Sequence, residues 1–233
     1  MPGSYLIRPA EVHGHRGPLD SGLRGTGRVA DDLFLLAHDD RSGRPRLAAR
    51  PLGLGLAAGL LAELMLGNQP AITVGEDGAL RIAREVPGTA ISRHPLLSQV
   101  DLEPVLHPVP DWLAFLARDA ARDVGTRLEQ AGYLTRAGRR FPGRPARLVP
   151  ADADWAFAPV NRVAAGLDPR RLWEPYTAAL AGLAYACGLG FRVEQYLTAG
   201  RTVEDTVSGL TPDLQALIRQ AQITVSSAVL SRP

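Results

Sequence analysis

Apolar residues recur with helical spacing in three long segments of the chain. From Asp111 to Ala131 they fall at every third or fourth position, which predicts one amphipathic helix. Residues 52–66 and 170–188 are apolar nearly all round, and each predicts a helix buried in the core. The first of these two segments contains Gly53, Gly55 and Gly59. Glycines on a buried helix would allow neighbouring helices to approach it closely.

Four shorter patterns predict further helices, over Val29–His38, Pro95–Val100, Phe191–Thr198 and residues 211–229. The helix at Val29 carries two carboxylates in its first turn, where the helix dipole favours negative charge. The last helix begins with a threonine as N-cap and a proline at the first helical position.

Short apolar runs at 71–74 and 79–82 flank a Gly-Glu-Asp-Gly turn, which predicts a β-hairpin. Residues 133–149 are rich in arginine around a Phe-Pro-Gly turn and indicate a basic hairpin or an extended loop. The pattern as a whole predicts a mainly α fold, a single globular helical domain over 26–233 with one or two small β-hairpins. Residues 1–25, rich in Gly, Pro and His, are expected to form a mobile N-terminal tail.

Charge and cysteine usage narrow the classes of function. All 26 basic residues are arginine, yet 24 acidic residues leave a net charge of only +2. A nucleic-acid-binding protein usually carries a stronger basic excess, so we expect no nucleic-acid partner. The single cysteine, Cys187, allows no internal disulfide and favours a cytoplasmic protein. The bias towards Ala, Gly, Pro and Arg is typical of a GC-rich bacterial genome.

The longest apolar run, Leu52–Leu66, is about one turn too short to span a bilayer and contains Glu63. Membrane association would therefore be peripheral, on the inner face of a membrane.

An enzymatic interpretation rests on the His38-Asp39 pair, because some metal phosphohydrolases use such a pair with further His and Asp ligands. The other candidate ligands in this chain are His13, His15, Asp152 and Asp154. Their spacing does not form a convincing metal site, and Asp39 and Asp40 are better explained as turn residues. Cys187 has no basic neighbour in sequence to activate a thiolate. We therefore expect no catalytic residue, no metal and no cofactor.

Four sequence pieces, in order along the chain, resemble the Golgi phosphoprotein 3 family. They are the Asp-Asp-Leu-Phe-Leu-Leu-Ala segment at 31–37 with its Asp-Arg-Ser-Gly turn, Gly-Leu-Leu-Ala-Glu-Leu at 59–64, Leu-Glu-Gln-Ala-Gly-Tyr-Leu at 128–134 and Leu-Ala-Gly-Leu-Ala-Tyr-Ala at 180–186. The resemblance runs from about Leu23 onward. It implies a mainly helical fold and a shallow basic pocket for phosphatidylinositol 4-phosphate at a membrane surface.

In the eukaryotic members an aromatic residue and several arginines line that pocket. Counting from the matched motifs puts these positions at Ala48, Ala57, Arg118 and Ala121, so that only Arg118 keeps the expected residue. Two other arginines lie close by in sequence, Arg50 and Arg122. The candidate headgroup-binding residues are therefore Arg50, Arg118 and Arg122, with the last two expected on one helix face.

The family's hairpin carries apolar residues that enter the membrane, whereas the corresponding loop here is strongly basic. Clustered arginines contribute roughly 1 kcal/mol each near an anionic membrane surface. The candidate membrane-contact loop consists of Arg139, Arg140, Phe141, Arg144 and Arg147.

The resemblance thus implies a non-enzymatic, peripheral membrane-associated adaptor whose partners are anionic phospholipid headgroups and possibly a protein. The alternative is a soluble protein-interaction module of the same fold that has lost the phosphoinositide site.

Overall fold

The computed structural model describes residues 25–66, 70–83, 95–103, 105–137, 147–166, 174–194 and 202–231. The described part of the chain is mainly helical with two small antiparallel hairpins, which confirms the predicted fold class. The helices are α1 Val29–Ala37, α2 Ala49–Met65, α3 Pro95–Leu102, α4 Val109–Leu116, α5 Ala120–Gln130, α6 Ala153–Gly166, α7 Pro175–Ala186, α8 Gly190–Glu194, α9 Val203–Ser208 and α10 Pro212–Leu230. The strands are β1 Ile72–Val74, β2 Leu80–Ile82, β3 Leu134–Ala137 and β4 Arg147–Pro150.

Helix α2 lies at the centre and packs against α1, α4, α5, α7 and α10. Nearly all of its side chains are buried, as its uniformly apolar sequence predicts. A Cβ at Gly53 would clash with the carbonyl oxygen of Ala117, and one at Gly59 would lie 2.9 Å from the Cα of Ala30. These glycines therefore allow α2 to touch the α4–α5 turn and α1 backbone to backbone.

The first hairpin lies where the apolar runs predict it, and the arginine-rich segment forms a second hairpin, one of the two forms expected for it. In the first, Ile72 pairs with Ile82, and in the second Leu134 pairs with Pro150. The second hairpin follows α5 directly, because Gly132 adopts a positive φ of 79° and ends the helix. The tip of this hairpin, residues 138–146, lies outside the described residues.

The predicted continuous helix from Asp111 to Ala131 is wrong, because the chain forms two helices, α4 and α5, with a turn at residues 117–119. The apolar spacing continues through the break since both helices bury their apolar faces against α2. Periodicity alone therefore did not reveal the turn.

Other boundaries also differ from the sequence-based prediction. Helix α7 begins at Pro175 instead of residue 170, and residues 167–173 are outside the described part. Helices α6 and α9 were not predicted. None of the described helices is long and apolar enough to cross a membrane.

Candidate functional site

Two adjacent carboxylates, Asp31 and Asp32, are buried in α1 and face different partners. Asp31 accepts a hydrogen bond from Arg127 Nε of α5 at 2.8 Å. The same guanidinium donates to both carboxylate oxygens of Glu63 in α2, at 3.2 and 3.0 Å. Glu63 also accepts from the backbone N–H of Ala30 at 2.9 Å. One arginine therefore links the carboxylates of α1 and α2.

Asp32 is completely buried and receives hydrogen bonds from both sides. Its Oδ1 accepts from the N–H and the hydroxyl of Thr26, at 3.0 and 2.8 Å. Its Oδ2 accepts from the hydroxyl of Tyr176 in α7 at 2.8 Å. The Arg162 guanidinium of α6 lies over the Tyr176 ring at 4.9 Å, and its Nε is 4.0 Å from Asp32 Oδ2. The side chains of Asp31, Asp32, Glu63, Arg127, Thr26, Tyr176 and Arg162 are called the buried polar network below.

Burial controls the titration of this network. Desolvation raises the pKa of Asp31 to about 6, although the charge of Arg127 opposes that rise. Burial likewise raises the pKa of Asp32, against the hydrogen bonds from Thr26 and Tyr176. The pKa of the Tyr176 hydroxyl is raised too, first by burial and then by the neighbouring Asp32 carboxylate. The network joins five helices, α1, α2, α5, α6 and α7, and its geometry is that of a structural anchor.

Asp39 begins the turn that follows α1, and His38 before it forms an isolated β-bridge with Pro45. Asp39 Oδ1 accepts from the N–H and the hydroxyl of Ser42, at 2.9 and 2.8 Å. The His38 ring stacks on Phe34 with ring centroids 3.9 Å apart. The predicted turn role of Asp39 is thereby confirmed. Within the described residues no group of three or more His, Cys, Asp or Glu side chains is arranged to hold a metal ion.

Cys187 is buried, and burial raises the pKa of its thiol to about 12. A thiol with this pKa stays protonated at neutral pH, which agrees with the predicted structural role.

An exposed basic face lies where α2 begins. Arg50 occupies the first turn of α2, and Arg118 lies in the turn between α4 and α5. These two segments are in contact, because the carbonyl group of Ala117, the residue before Arg118, lies against Gly53, which follows Arg50 by one turn of α2. Both arginines are exposed, and among the described residues neither forms an ion pair. Arg50 and Arg118 are called the arginine face below.

The third candidate, Arg122, is placed differently. It lies in α5, so the expected shared helix face with Arg118 is wrong, because the helix break separates them. Its guanidinium pairs with Asp119 at 2.9 Å and with Asp123 at 3.1 Å. Its charge is therefore largely balanced by two neighbouring carboxylates.

Three of the four positions where the resemblance placed pocket residues are occupied by alanines. Ala57 is fully buried within α2, so a longer side chain there would enter the core. Ala48 and Ala121 are partly exposed. The structure thus leaves Arg118 as the matched cation and Arg50 as its neighbour.

The structure describes the two strands of the basic hairpin but not residues 138–146 between them. Arg147 is exposed at the start of β4 and pairs in register with Ala137. Arg136 on β3 is bound to Glu129, with bonds of 2.6 and 2.8 Å. The remaining predicted contact residues lie outside the described residues: Arg139, Arg140, Phe141 and Arg144.

The buried polar network was not predicted from the sequence. The available signal was the pair Asp31-Asp32 within an otherwise apolar helix, since buried carboxylates require partners. The helix dipole favours carboxylates in the first turn, but it does not explain why these two are buried. Their partners, Arg127 and Tyr176, lie 96 and 144 residues away in the chain, which local spacing cannot detect.

The family model of Golgi phosphoprotein 3 (GPP34) matches the chain over residues 29–220. No curated protein matches the chain at a significant level. The matched region includes the arginine face and every member of the buried polar network except Thr26. Because the match covers most of the 233 residues, the chain belongs to the Golgi phosphoprotein 3 family.

Proposed function

We propose that this protein binds anionic lipid headgroups, phosphatidylinositol 4-phosphate among them, as a non-enzymatic adaptor at the periphery of a membrane. The observation that carries the proposal is the arginine face: Arg50 and Arg118 are exposed, form no ion pair among the described residues, and lie on two segments that touch at Gly53 and Ala117. An unpaired guanidinium keeps its hydrogen-bond donors available, and it binds phosphate oxygens in a bidentate fashion.

The start of α2 adds to this face. Its N-cap, Ala48, forms no side-chain cap, so the first backbone N–H groups of a 17-residue helix are not bonded by a capping side chain. The N-terminal end of a helix also favours an anion through its dipole. A phosphate held there would meet the helix end and the two guanidinium groups. The arginines of the 139–147 loop would provide secondary attraction to an anionic surface, whereas Arg122 is already paired with two carboxylates.

The alternative is a protein-interaction module that has kept the fold and lost the lipid site. The observation that favours it is Ala57, which is fully buried where the resemblance places a pocket arginine. A specific phosphomonoester site usually needs several converging cations, and the arginine face supplies two.

The test is co-sedimentation of the full chain with vesicles at low and physiological salt. Neutral vesicles, generic anionic vesicles and vesicles containing phosphatidylinositol 4-phosphate are compared. The double variant Arg50→Ala/Arg118→Ala should lower binding to anionic vesicles on the order of 30-fold, since each arginine contributes roughly 1 kcal/mol. A preference for the phosphoinositide would identify a headgroup site, whereas loss with salt on every anionic vesicle would indicate surface charge alone.

The matched control is Arg28→Ala/Arg219→Ala, which removes the same charge from exposed arginines on α1's N-cap and on α10. Equal losses in the two double variants would show that net charge, and not the arginine face, controls binding. Absence of binding to every vesicle, together with a discrete protein partner in pull-downs, would support the alternative.

A further inference from the structure

A cavity of about 410 Å³ opens beside α4, and no member of the buried polar network lines it among the described residues. Its lining residues are Leu102, Glu103, His107, Asp111, Trp112 and Phe115. The volume lies within the range of small-molecule sites, which is roughly 300–1,000 Å³. Neither the resemblance nor the proposed headgroup site assigns a role to this cavity.

The apolar part of the cavity is unusually accessible. Leu102 is 80% exposed and Phe115 is 51% exposed, although both are large apolar side chains. Trp112, which is buried, meets the Phe115 ring edge-on with ring centroids 6.0 Å apart. Perpendicular aromatic rings present both ring faces and ring edges to an occupant. Such a wall suits a flat apolar or aromatic body.

The polar part of the cavity is acidic. Glu103 pairs with His107 at 3.4 Å, while the Asp111 carboxylate engages no partner among the described residues. Residues 94–117 contain no arginine, in a chain with 26 of them. A carboxylate accepts hydrogen bonds and donates none when ionised. The cavity therefore disfavours phosphate, and its occupant must differ from the ligand of the arginine face.

We infer that this cavity binds an organic ammonium ion with an apolar or aromatic body, that is, an arylalkylamine or a similar hydrophobic amine. The ammonium group donates hydrogen bonds to the Asp111 and Glu103 carboxylates, which is the stronger, charge-assisted kind. The body of the ligand packs against Leu102 and Phe115. The aromatic rings also attract the cation through their negative faces. The carboxylates therefore favour a cationic ligand, and the apolar wall favours a ligand with a hydrophobic body.

The experiment compares two soluble probes of the same shape, phenethylammonium and the neutral 2-phenylethanol, by calorimetric titration into the full chain. Phenethylammonium should saturate in the millimolar range, since a ligand of this size binds with a dissociation constant of roughly 10 mM or tighter. The neutral probe should bind at least about tenfold more weakly. Phe115→Ala, a change at an exposed position, should weaken both probes.

The deciding variant is Glu103→Gln/Asp111→Asn, which keeps the shape of the cavity and removes its charge. It should weaken phenethylammonium by about tenfold or more and leave 2-phenylethanol within about twofold. The matched control is Glu76→Gln/Asp213→Asn, because Asp213 lies in the first turn of α10 behind a proline as Asp111 does in α4. It should bind both probes as the unmodified chain does.

Three results would overturn the inference. They are no saturable binding of phenethylammonium up to about 30 mM, equal binding of the two probes, or equal losses in the cavity variant and its control. Far-UV circular dichroism of each variant separates loss of binding from loss of folding.

Discussion

The buried polar network and the arginine face use the same side chain in opposite ways. In the network, one guanidinium, that of Arg127, is surrounded by Asp31 and Glu63, whose side chains are 5% and 10% exposed. On the arginine face, Arg50 and Arg118 are exposed and have no carboxylate partner among the described residues. Loss of a paired and half-buried arginine would leave buried carboxylates without a cation, whereas an unpaired exposed arginine is available to a ligand.

The matched sequence pieces contain the buried, paired carboxylates and neither arginine of the arginine face. Asp31, Asp32 and Glu63 belong to the matched sequence pieces, and all three lie in the buried polar network. A motif built on the network therefore reports the fold and says nothing about the ligand. The lipid-binding proposal depends on residues of the arginine face, of which only Arg118 follows the family pattern.

The largest effect expected from this comparison is on stability. Arg127→Met keeps the length of the side chain and leaves Asp31 and Glu63 without their cation. Removing one partner of a buried ion pair costs about 3–5 kcal/mol. Urea denaturation at neutral pH should show a loss of this size in the free energy of unfolding. A loss below about 1 kcal/mol would show that the network contributes no more than a surface pair.

The matched control is Arg136→Met on β3. Arg136 forms an equally short pair with Glu129, but its side chain is 64% exposed. An exposed ion pair contributes about 0–1 kcal/mol, so this variant should unfold almost as the unmodified chain does. The contrast between the two variants measures what burial adds to the same pair of charged groups.

Much of the fold could be predicted from the sequence because apolar periodicity reports burial directly. The central helix α2, its glycine contacts and the first hairpin all follow from local pattern. The turn at 117–119 could not be predicted, since α4 and α5 bury their apolar residues against the same helix and the spacing continues. Helix α9 has only six residues, too few for periodicity to detect.

The candidate site was harder to predict for a different reason. Counting along a motif picked out Arg118, which is exposed in the structure, but it did not weigh the carboxylates beside Arg122. Asp119 lies three residues before Arg122 and Asp123 one residue after it, so these ion pairs could have been predicted from local spacing. The burial of Ala57 could not, because it depends on how α2 packs in the tertiary structure.

The pH dependence of stability gives a smaller effect that is specific to the network. The pKa of Asp31 rises from 3.8 to about 6 on folding, so between these values the folded chain binds more protons than the unfolded chain. Stability contributed by this group is therefore present below pH 4 and is lost as pH rises through about 6. The slope is at most about 1.4 kcal/mol per pH unit.

The measurement is the difference in unfolding free energy between the unmodified chain and Asp31→Asn, from pH 4 to 7. The difference removes contributions of other groups, such as His38, whose lowered pKa gives the opposite slope. Asp31→Asn does not titrate, so it should gain relative stability as pH rises. A difference that stays constant over this range would show that Asp31 keeps an ordinary pKa in the folded chain.

The smallest expected effect concerns Arg122, which lies between the two classes of arginine because it is exposed yet paired. In the variant Arg122→Ala/Asp123→Asn, one cation and one anion are removed together and the net charge is unchanged. Its unfolding free energy should change by less than about 1 kcal/mol, since exposed pairs contribute little.

The binding of this Arg122→Ala/Asp123→Asn variant to anionic vesicles at physiological salt should stay within about twofold of the unmodified chain, because a guanidinium held by Asp119 and Asp123 has few donors left for a headgroup. Arg118→Ala should lower the same binding about fivefold. If the charge-neutral variant lost as much binding as Arg118→Ala, Arg122 would have to exchange its carboxylate partners for a phosphate, and the contrast between paired and unpaired arginines would not predict where the ligand binds.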